Sequence, residues 1–270
     1  MKQLINFFAL AYIISWLIWL PLYGEVFGLA GLPRLPYHHA FGALGPLIAS
    51  FLVTWIYHKN EGVNLSLKRC FQFQPLLYLI IAILSPFIIA IAAAGVDSLV
   101  NDTPFQIAGL MRSREFPQFN LITFFIYNLV FFGFGEEVGW RGFALPRLQQ
   151  RFNALASSII LCVIWAAWHT PLFFYRPGFT SMELSGILGW MFSLLTGSIL
   201  LTWLFNSSKG SILICAVFHA AIDIPFTSDF AGDILSGYMG FFITLWGVLI
   251  LVIFKPKHLS KNVRTTHITN

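Results

Sequence analysis

The sequence predicts an all-α, polytopic membrane helix bundle with about eight transmembrane helices. Three observations support this fold class. Hydrophobic residues make up 57% of the 270 positions and charged residues only 10%, whereas soluble domains carry about 25% charged residues. The mean hydropathy is +0.76. The apolar residues also occur in long stretches, and a helix needs about 20 of them to cross a bilayer. An ordinary soluble domain is therefore excluded.

Eight stretches are candidate spans. The first could be mistaken for a signal peptide, but it is too long for the apolar region of one and has no small-residue cleavage site. We therefore interpret it as a retained span. The fourth stretch runs into a charged motif, and the seventh is short. In chain order the stretches are 4–23, 40–57, 76–96, 119–135, 155–175, 184–205, 211–224 and 237–254.

One domain is expected over 1–258, because the sequence contains no internal repeat, long linker or low-complexity tract. The polar, basic tail 259–270 is expected to be a disordered cytoplasmic segment. Three scattered cysteines, Cys70, Cys162 and Cys215, imply neither a disulfide framework nor a CxxC site.

The net charge of +5 indicates orientation rather than nucleic-acid binding. If both termini lie in the cytoplasm, twelve of the sixteen Lys and Arg residues fall on the cytoplasmic side. The other side keeps only Arg34, Arg112, Arg114 and Arg176. This bias is the positive-inside pattern of membrane proteins. It predicts an integral membrane protein with both termini cytoplasmic, with membrane lipids as partners and no nucleic-acid partner.

Charged side chains within a membrane are costly and by default mark functional sites. Glu137 and Arg141 lie four residues apart with the acid first, the favoured order for a helical ion pair. A buried charge must be paired, so the plain interpretation of this pair is structural. Glu136 is rotated by about 100° on a helix and is left as the unpaired acid. The candidates within spans are Glu136, Glu137, Arg141, His169, His219 and Asp223.

A helical hairpin relates His169 to the acid motif. His169 and Glu136 are equidistant from a turn centred between Phe152 and Asn153. If 142–151 continues the fourth helix, antiparallel packing places both side chains at one depth. If 142–151 instead lies flat on the membrane interface, the match is a coincidence. A lone histidine on an apolar helix is more often a hydrogen-bonded core residue than a catalyst.

A second histidine and an acid follow in VFHAAIDIPF. His219 and Asp223 lie four residues apart on one helix face. Pro171 and Pro225 each come two residues after a polar site residue and each removes a helical hydrogen bond. Such breaks within a membrane are tolerated only against protein or a water-filled cavity. An acid and two histidines in a wet pocket suit hydrolysis by an activated water, with a glutamate as general base and histidine donors for an oxyanion.

Three motifs resemble those of a known family. EEVGWR fits the pattern EExxxR, WAAWH fits FxxxH with Trp165 in the Phe place, and HAAID fits HxxxN with Asp223 in the Asn place. Together and in this order they resemble the CPBP (Abi) family of intramembrane glutamic endopeptidases. That family includes the CAAX prenyl proteases of the Ras-converting type and bacteriocin-processing relatives. The resemblance covers 136–223 and implies an eight-helix bundle, so that 1–258 would be a single intramembrane protease domain.

The resemblance also implies roles. Glu136 would activate water with the help of His169, and His219 with Asp223 would form the oxyanion hole. Glu137, Arg141 and Trp165 would support the site, Trp165 as an aromatic wall. No cofactor is implied. The implied substrate is a membrane-associated peptide or a CAAX-type lipidated protein end that enters from the membrane, and the implied location is a bacterial plasma membrane.

Asp223 departs from the pattern in a way that matters chemically. An ionised carboxylate cannot donate a hydrogen bond to an oxyanion, whereas the amide that it replaces can. Either Asp223 is protonated and donates, or it stays ionised and pairs with His219 as an imidazolium. The departure also keeps open a catalytically silent immunity or scaffold protein of the same fold.

Two further alternatives have less support. A zinc-dependent membrane protease would use Glu136, His169 and His219 as ligands, but the sequence contains no HExxH. A proton-coupled transporter often shows inverted repeats, and the sequence has none.

Overall fold

Twelve α-helices account for most of residues 1–266, the part of the chain that the computed structural model describes. No strand occurs among these residues, only one isolated bridge between Ser113 and Ser228. The helices are α1 (Lys2–Tyr23), α2 (His38–Ala43), α3 (Gly45–Cys70), α4 (Leu76–Asn101), α5 (Leu121–Asn128), α6 (Gly135–Glu137), α7 (Leu145–Gln149), α8 (Ala154–Trp168), α9 (Leu172–Tyr175), α10 (Leu184–Ser207), α11 (Ile212–Thr227) and α12 (Asp233–His258).

Within residues 1–266, seven helical segments are long and apolar enough to cross a membrane. The seventh predicted span, 211–224, corresponds to α11, which is apolar but has only 16 residues. The predicted polytopic helix bundle is therefore confirmed. The seven segments are Lys2–Phe27, His38–Cys70, Leu76–Asn101, Leu121–Gln149, Ala154–Tyr175, Leu184–Ser207 and Asp233–His258.

Side-chain caps define the start of the three helices that carry the predicted site. Asn120 accepts a hydrogen bond from the backbone N–H of Thr123, and Asn153 accepts one from Ala156. Ser211 does the same for Ile214 at the start of α11. Each cap satisfies a backbone donor that a helix N-terminus leaves without a partner. The short polar sequences between the apolar stretches therefore begin these helices at definite residues.

The segment Leu121–Gln149, here called the motif helix, runs through the acid motif without a break. Two π-helical turns, Leu129–Phe134 and Val138–Ala144, flank Glu136 and Glu137. Single π-helical turns are frequent at functional sites. The helix then continues into α7 and residues 141–149 are buried. The stretch therefore continues the fourth predicted span and does not lie flat on the membrane interface, since an interfacial segment would be exposed along one side.

Glycines let the motif helix approach its neighbours closely. A Cβ on Gly133 would lie 2.5 Å from the backbone oxygen of Ala216 in α11. A Cβ on Gly139 would lie 2.6 Å from the side chain of Pro46 and 2.7 Å from its backbone oxygen in α3. Small residues at helix interfaces are a common means of close packing in membranes. The glycines of FGFGEEVGWRG therefore hold the acid motif against α3 and α11.

The remaining helices enclose the motif helix. In this arrangement α1 packs against α2 and α3, α11 against α4, and α10 against α8 and α12. Large apolar side chains such as Leu17, Trp55, Ile122 and Val252 are more than half exposed. Exposed apolar surface of this extent is expected where lipid is the solvent.

The described part of the C-terminal tail packs against the bundle. Thr265 donates its backbone N–H to Oδ1 of Asn206 at 3.0 Å, and Nε of Arg264 donates to the backbone oxygen of Gln149 at 2.9 Å. Leu259 is fully buried. Residues 259–266, which the sequence predicts to be disordered as part of 259–270, are thus packed against the bundle, because residues at the ends of α7 and α10 supply hydrogen-bond partners. Residues 267–270 lie outside the described residues.

Candidate active site

A cavity of about 180 Å³ lies between the motif helix, α8 and α11. Glu136, His169, His219 and Asp223 all line it. The structure therefore brings these four predicted site residues together, whereas Glu137, Arg141 and Trp165 stand behind them and do not line the cavity. Glu136 and Glu137 are 3% and 0% exposed, so both carboxyl groups are withdrawn from bulk water.

Glu137 accepts two hydrogen bonds on one oxygen. Its Oε1 receives Nη1 of Arg141 at 3.0 Å and Nδ1 of His219 at 2.7 Å. All three side chains are buried, and Nη2 of Arg141 also reaches Oγ of Ser198 at 3.4 Å. The predicted pair between Glu137 and Arg141 is present. In addition, Glu137 holds His219, which the sequence pattern alone did not reveal because the two residues are on different helices.

Glu136 has a partner of a different kind. The indole Nε1 of Trp165 donates a hydrogen bond to Oε2 of Glu136 at 2.7 Å. No hydrogen bond or ion pair between Glu136 and Arg141 occurs within residues 1–266, as the 100° rotation predicted. Glu136 is therefore unpaired with respect to charge, but one of its oxygens is fixed. Trp165 is more than an aromatic wall, because a phenylalanine in its place would have no N–H to donate.

The ring of His169 has a defined orientation. Its Nδ1 lies 2.7 Å from the backbone oxygen of Trp165. A carbonyl oxygen only accepts, so Nδ1 carries the proton and, in the neutral ring, Nε2 is an acceptor. Trp168 and Trp190 pack edge-on against the ring, with centroids 4.9 Å and 5.8 Å away. His169 can thus accept a hydrogen bond from a water molecule in the cavity.

His219 lies between two carboxyl groups. Nδ1 is bound to Glu137, and Nε2 is 3.8 Å from Oδ2 of Asp223, which is within ion-pair range but longer than a hydrogen bond. The expected helical neighbours His219 and Asp223 therefore face each other without a direct hydrogen bond. Because Nδ1 already donates to Glu137, Nε2 carries a second proton only when the ring is an imidazolium.

Several cavity residues were missed by sequence reasoning. His39 lines the cavity, stacks on Trp19 with ring centroids 5.6 Å apart and contacts the Tyr175 hydroxyl through Nδ1 at 2.7 Å. Glu115 and Arg176 also line it and form an ion pair at 2.6 Å. The sequence signals His39 only as a histidine at the start of a span. Its position beside α9 could not be predicted, because it depends on how distant helices pack.

The break at Pro171 and the proline of α11 differ. The helix α8 ends at Trp168, and Pro171 precedes the separate helix α9. Pro225 in contrast lies inside α11, which continues to Thr227. Only the first of the two expected breaks is thus present. It turns the chain at His169, so that the imidazole lies at the end of its helix beside the cavity.

The zinc alternative requires three side chains placed around one metal ion. Although Glu136, His169 and His219 line one cavity, residues 1–266 contain no group of three or more His, Cys, Asp or Glu side chains arranged to hold a metal ion. The hydrogen bonds of Nδ1 in both histidines leave only the Nε2 atoms as ligands.

Two comparisons with known proteins concern the segment of the chain that carries these residues. Residues 118–225 match the family model described as type II CAAX prenyl endopeptidase Rce1-like. A CAAX prenyl protease 2 from Methanococcus maripaludis is 41% identical over 44 residues, which are 16% of this chain and 16% of that protein. The matched family segment includes all three motifs, and both comparisons support a peptidase. They confirm the family resemblance that the three motifs indicate: residues 118–225 of this chain match the Rce1-like family of type II CAAX prenyl endopeptidases.

Proposed function

We propose that this protein is an intramembrane endopeptidase that hydrolyses a peptide bond of a membrane-associated peptide or of a CAAX-type protein end, using a water molecule activated by Glu136. One observation carries the proposal. A carboxyl group without a cationic partner faces the same cavity as two oriented histidines, inside a helix bundle whose central segment matches an endopeptidase family.

Glu136 has the properties of a general base. One oxygen accepts the Trp165 N–H, which leaves the other free to accept a proton from water. His169 would hold the same water through Nε2, because its Nδ1 proton is already donated to a backbone oxygen. The water oxygen would attack the peptide carbonyl carbon, and its proton would pass to Glu136. As the tetrahedral intermediate collapses, the C–N bond would break and Glu136 would return the proton to the leaving amine, which gives a free carboxyl end and a free amine end.

His219 and Asp223 would stabilise the oxyanion of the tetrahedral intermediate. The carboxylate of Glu137 at Nδ1 favours the imidazolium form of His219, whose Nε2–H could then donate to the oxyanion. Asp223 could add a second donor if it is protonated. The two groups line the cavity on the same helix one turn apart, so both can reach one oxygen atom.

A catalytically silent partner-binding protein is the second candidate. The observation that favours it is Asp223, which stands where the family pattern has asparagine. Such a protein would bind a peptide in the cavity without turnover. The two candidates differ in whether Glu136 is needed for product formation or only for binding.

Purified protein in proteoliposomes would test the proposal. Membrane-anchored peptides carrying a fluorophore and a quencher would be offered to the wild type, to Glu136→Gln and to the surface control Glu61→Gln. We expect a fluorescence increase with the wild type and the control but not with Glu136→Gln, with cleavage sites identified by mass spectrometry. Equal rates for wild type and Glu136→Gln would contradict the proposed base. Binding without cleavage by every variant would favour the silent alternative.

A further inference from the structure

We infer that the candidate active site opens on the membrane face opposite the cytoplasm, so that its substrate is a peptide segment exposed outside the cytoplasm. The direction of opening follows from helix packing and charge. That the occupant is a substrate rests on the proposed function.

Contacts between helix ends define two faces of the bundle. On one face, here called the terminal face because it includes both ends of the described chain, Gln3 accepts from Nε of Arg147 at 3.1 Å and Asn206 donates to the backbone oxygen of His258 at 2.8 Å. On the other, here called the distal face, Nε of Arg112 lies 2.5 Å from Asp229. The ion pair of Glu115 and Arg176 also lies there.

The two faces differ sharply in charge. The distal face carries four of the sixteen Lys and Arg residues but seven of the eleven acids. The terminal face has eleven basic residues and one acid, Glu61, and the remaining four charged residues are Glu136, Glu137, Arg141 and Asp223 within the bundle. Excess Lys and Arg in short loops mark the cytoplasmic side. The distal face is therefore the non-cytoplasmic one. Its acids are Glu25, Asp97, Asp102, Glu115, Glu183, Asp229 and Asp233.

The cavity reaches the distal face and not the terminal face. Its lining includes Glu115 before α5, Arg176 directly after α9 and Thr227 at the end of α11. On the terminal side of Glu136, Trp140, Leu145 and Leu148 are at most 3% exposed, and none of them lines the cavity. Tightly buried side chains thus separate the candidate base from the cytoplasmic face.

A second, wider groove of about 770 Å³ lies in the same half of the bundle. It runs between the distal halves of α10 and α12, and glycines such as Gly186 and Gly240 line it. Trp190 is part of its wall and also packs against His169, with ring centroids 5.8 Å apart. The groove therefore adjoins the site from the lipid side of the distal half. This position fits a substrate whose apolar segment is embedded in the outer half of the bilayer.

Cysteine labelling in intact cells tests the orientation without reference to activity. Glu183→Cys on the distal face and Glu61→Cys on the terminal face are matched exposed positions, and the three native cysteines are buried. With a membrane-impermeant maleimide, we expect Glu183→Cys to label in intact cells, Glu61→Cys only after lysis and the wild type in neither case. Gln118→Cys and Lys261→Cys repeat the comparison if either variant is not produced. The reverse pattern, or labelling of both faces in intact cells, would overturn the inference.

A blocking experiment then tests access to the site. Thr227→Cys places a thiol at the distal mouth, and a bulky impermeant maleimide would be applied before cleavage of a membrane-anchored peptide is measured. We expect at least a 10-fold loss of rate for modified Thr227→Cys and an unchanged rate for modified Gln118→Cys. Retained cleavage by fully modified Thr227→Cys would refute the distal entry. If no variant cleaves any peptide, the proposed function fails, while the labelling pattern still decides the orientation.

Discussion

At the residue scale, two adjacent glutamates have different surroundings. Glu137 is bound by a guanidinium and an imidazole, and it faces away from the cavity. Glu136 accepts only an indole N–H and faces the cavity. A carboxylate that accepts from a guanidinium and an imidazole is stabilised in its charged form and is a poor proton acceptor, whereas one that accepts only from a neutral indole N–H is less stabilised and a better one. The proposed division between a positioning acid and a base thus rests on the different partners that the two carboxyl groups have.

Substitution of the two glutamates should separate these roles. Glu136→Gln should reduce turnover by at least about 100-fold, the scale of general-base catalysis, while the melting temperature in detergent stays close to that of the wild type. Glu137→Gln should lower both the turnover and the melting temperature, because removing one partner of a buried ion pair costs about 3–5 kcal/mol. Thermal unfolding and peptide cleavage measure the two effects. Near-normal turnover of Glu136→Gln would show that the base is assigned wrongly.

The hydrogen bond from Trp165 to Glu136 predicts a specific loss. Trp165→Phe keeps an aromatic ring but removes the N–H, and a hydrogen bond to a charged group contributes about 1.5–3 kcal/mol. We expect kcat to fall by roughly 10-fold or more with little change in KM, because the carboxylate is less well oriented. Trp203→Phe is the matched control, since the indole N–H of Trp203 is buried away from the cavity and has no partner within residues 1–266. Equal effects of both substitutions would argue against an orienting role.

Asp223 distinguishes two ways to stabilise an oxyanion. If Asp223 donates as a neutral acid, Asp223→Asn should retain activity, and the wild type alone should lose activity as the pH rises. If Asp223 instead keeps His219 charged, Asp223→Asn should lower kcat by roughly 100-fold, the scale for loss of one oxyanion donor. The distance of 3.8 Å between His219 and Asp223 and the family pattern lead us to expect the first result. Unchanged turnover in both Asp223→Asn and Asp223→Ala would exclude a catalytic role.

At the element scale, the motif helix depends on close helix packing. Gly133 and Gly139 lie against the backbone of α11 and α3, which cannot move aside as a flexible side chain could. These contacts set the distance between Glu137 on the motif helix and His219 on α11. The glycines and the acids of the motif therefore belong together, because the glycines fix the helix contacts that position the acids.

Alanine substitutions test this packing. Gly139→Ala and Gly133→Ala should each destabilise the protein by about 1–3 kcal/mol, the typical cost of overpacking, and should lower turnover because the site is displaced. Gly197→Ala in α10 is the control, since a Cβ there meets nothing within 4 Å. The control should be neutral or stabilising by up to about 1 kcal/mol. Melting temperatures that do not differ between Gly139→Ala and Gly197→Ala would contradict the close-packing role.

At the scale of the whole molecule, a polar cluster joins three distant segments on the terminal face. Gln149 and Asn206 exchange two side-chain hydrogen bonds of 3.0 Å and 2.8 Å. Thr265 and Arg264 of the tail bind to the same two residues. The cluster lies at the end of the bundle opposite the cavity. It therefore holds the motif helix and α10 together where no substrate has to pass.

Removal of the tail should weaken this end of the bundle. A chain that ends after Lys261 loses the eight hydrogen bonds that residues 262–266 make with Gln149, Gln150, Asn206, Ser207, Lys257 and His258. Each is worth about 0.5–1.5 kcal/mol, so stability should fall by roughly 4 kcal/mol or more. Thermal unfolding in detergent would measure the loss. Peptide turnover below the melting temperature should change little, because none of residues 262–266 lines the cavity. A truncated protein as stable as the full chain would show that these contacts contribute nothing.

The sequence by itself determined the fold class and which residues are candidates for the site. Long apolar stretches exclude a soluble fold, and the few charged residues within them are conspicuous because burial of charge is costly. Helical spacing also predicts the pair of Glu137 and Arg141, since residues four apart share a helix face. These conclusions need only local geometry and the chemistry of lipid.

Only the tertiary structure decided which residues meet across helices. The bond from Trp165 to Glu136, the contact of Glu137 with His219 and the presence of His39 in the cavity all join residues at least 29 positions apart. The direction in which the cavity opens likewise depends on how the other seven apolar segments pack around the motif helix. Sequence periodicity relates residues within one helix, but relative helix rotation and depth arise from packing of small and large side chains along the whole bundle. For that reason the candidate base could be predicted from the sequence, whereas the partner that orients it could not.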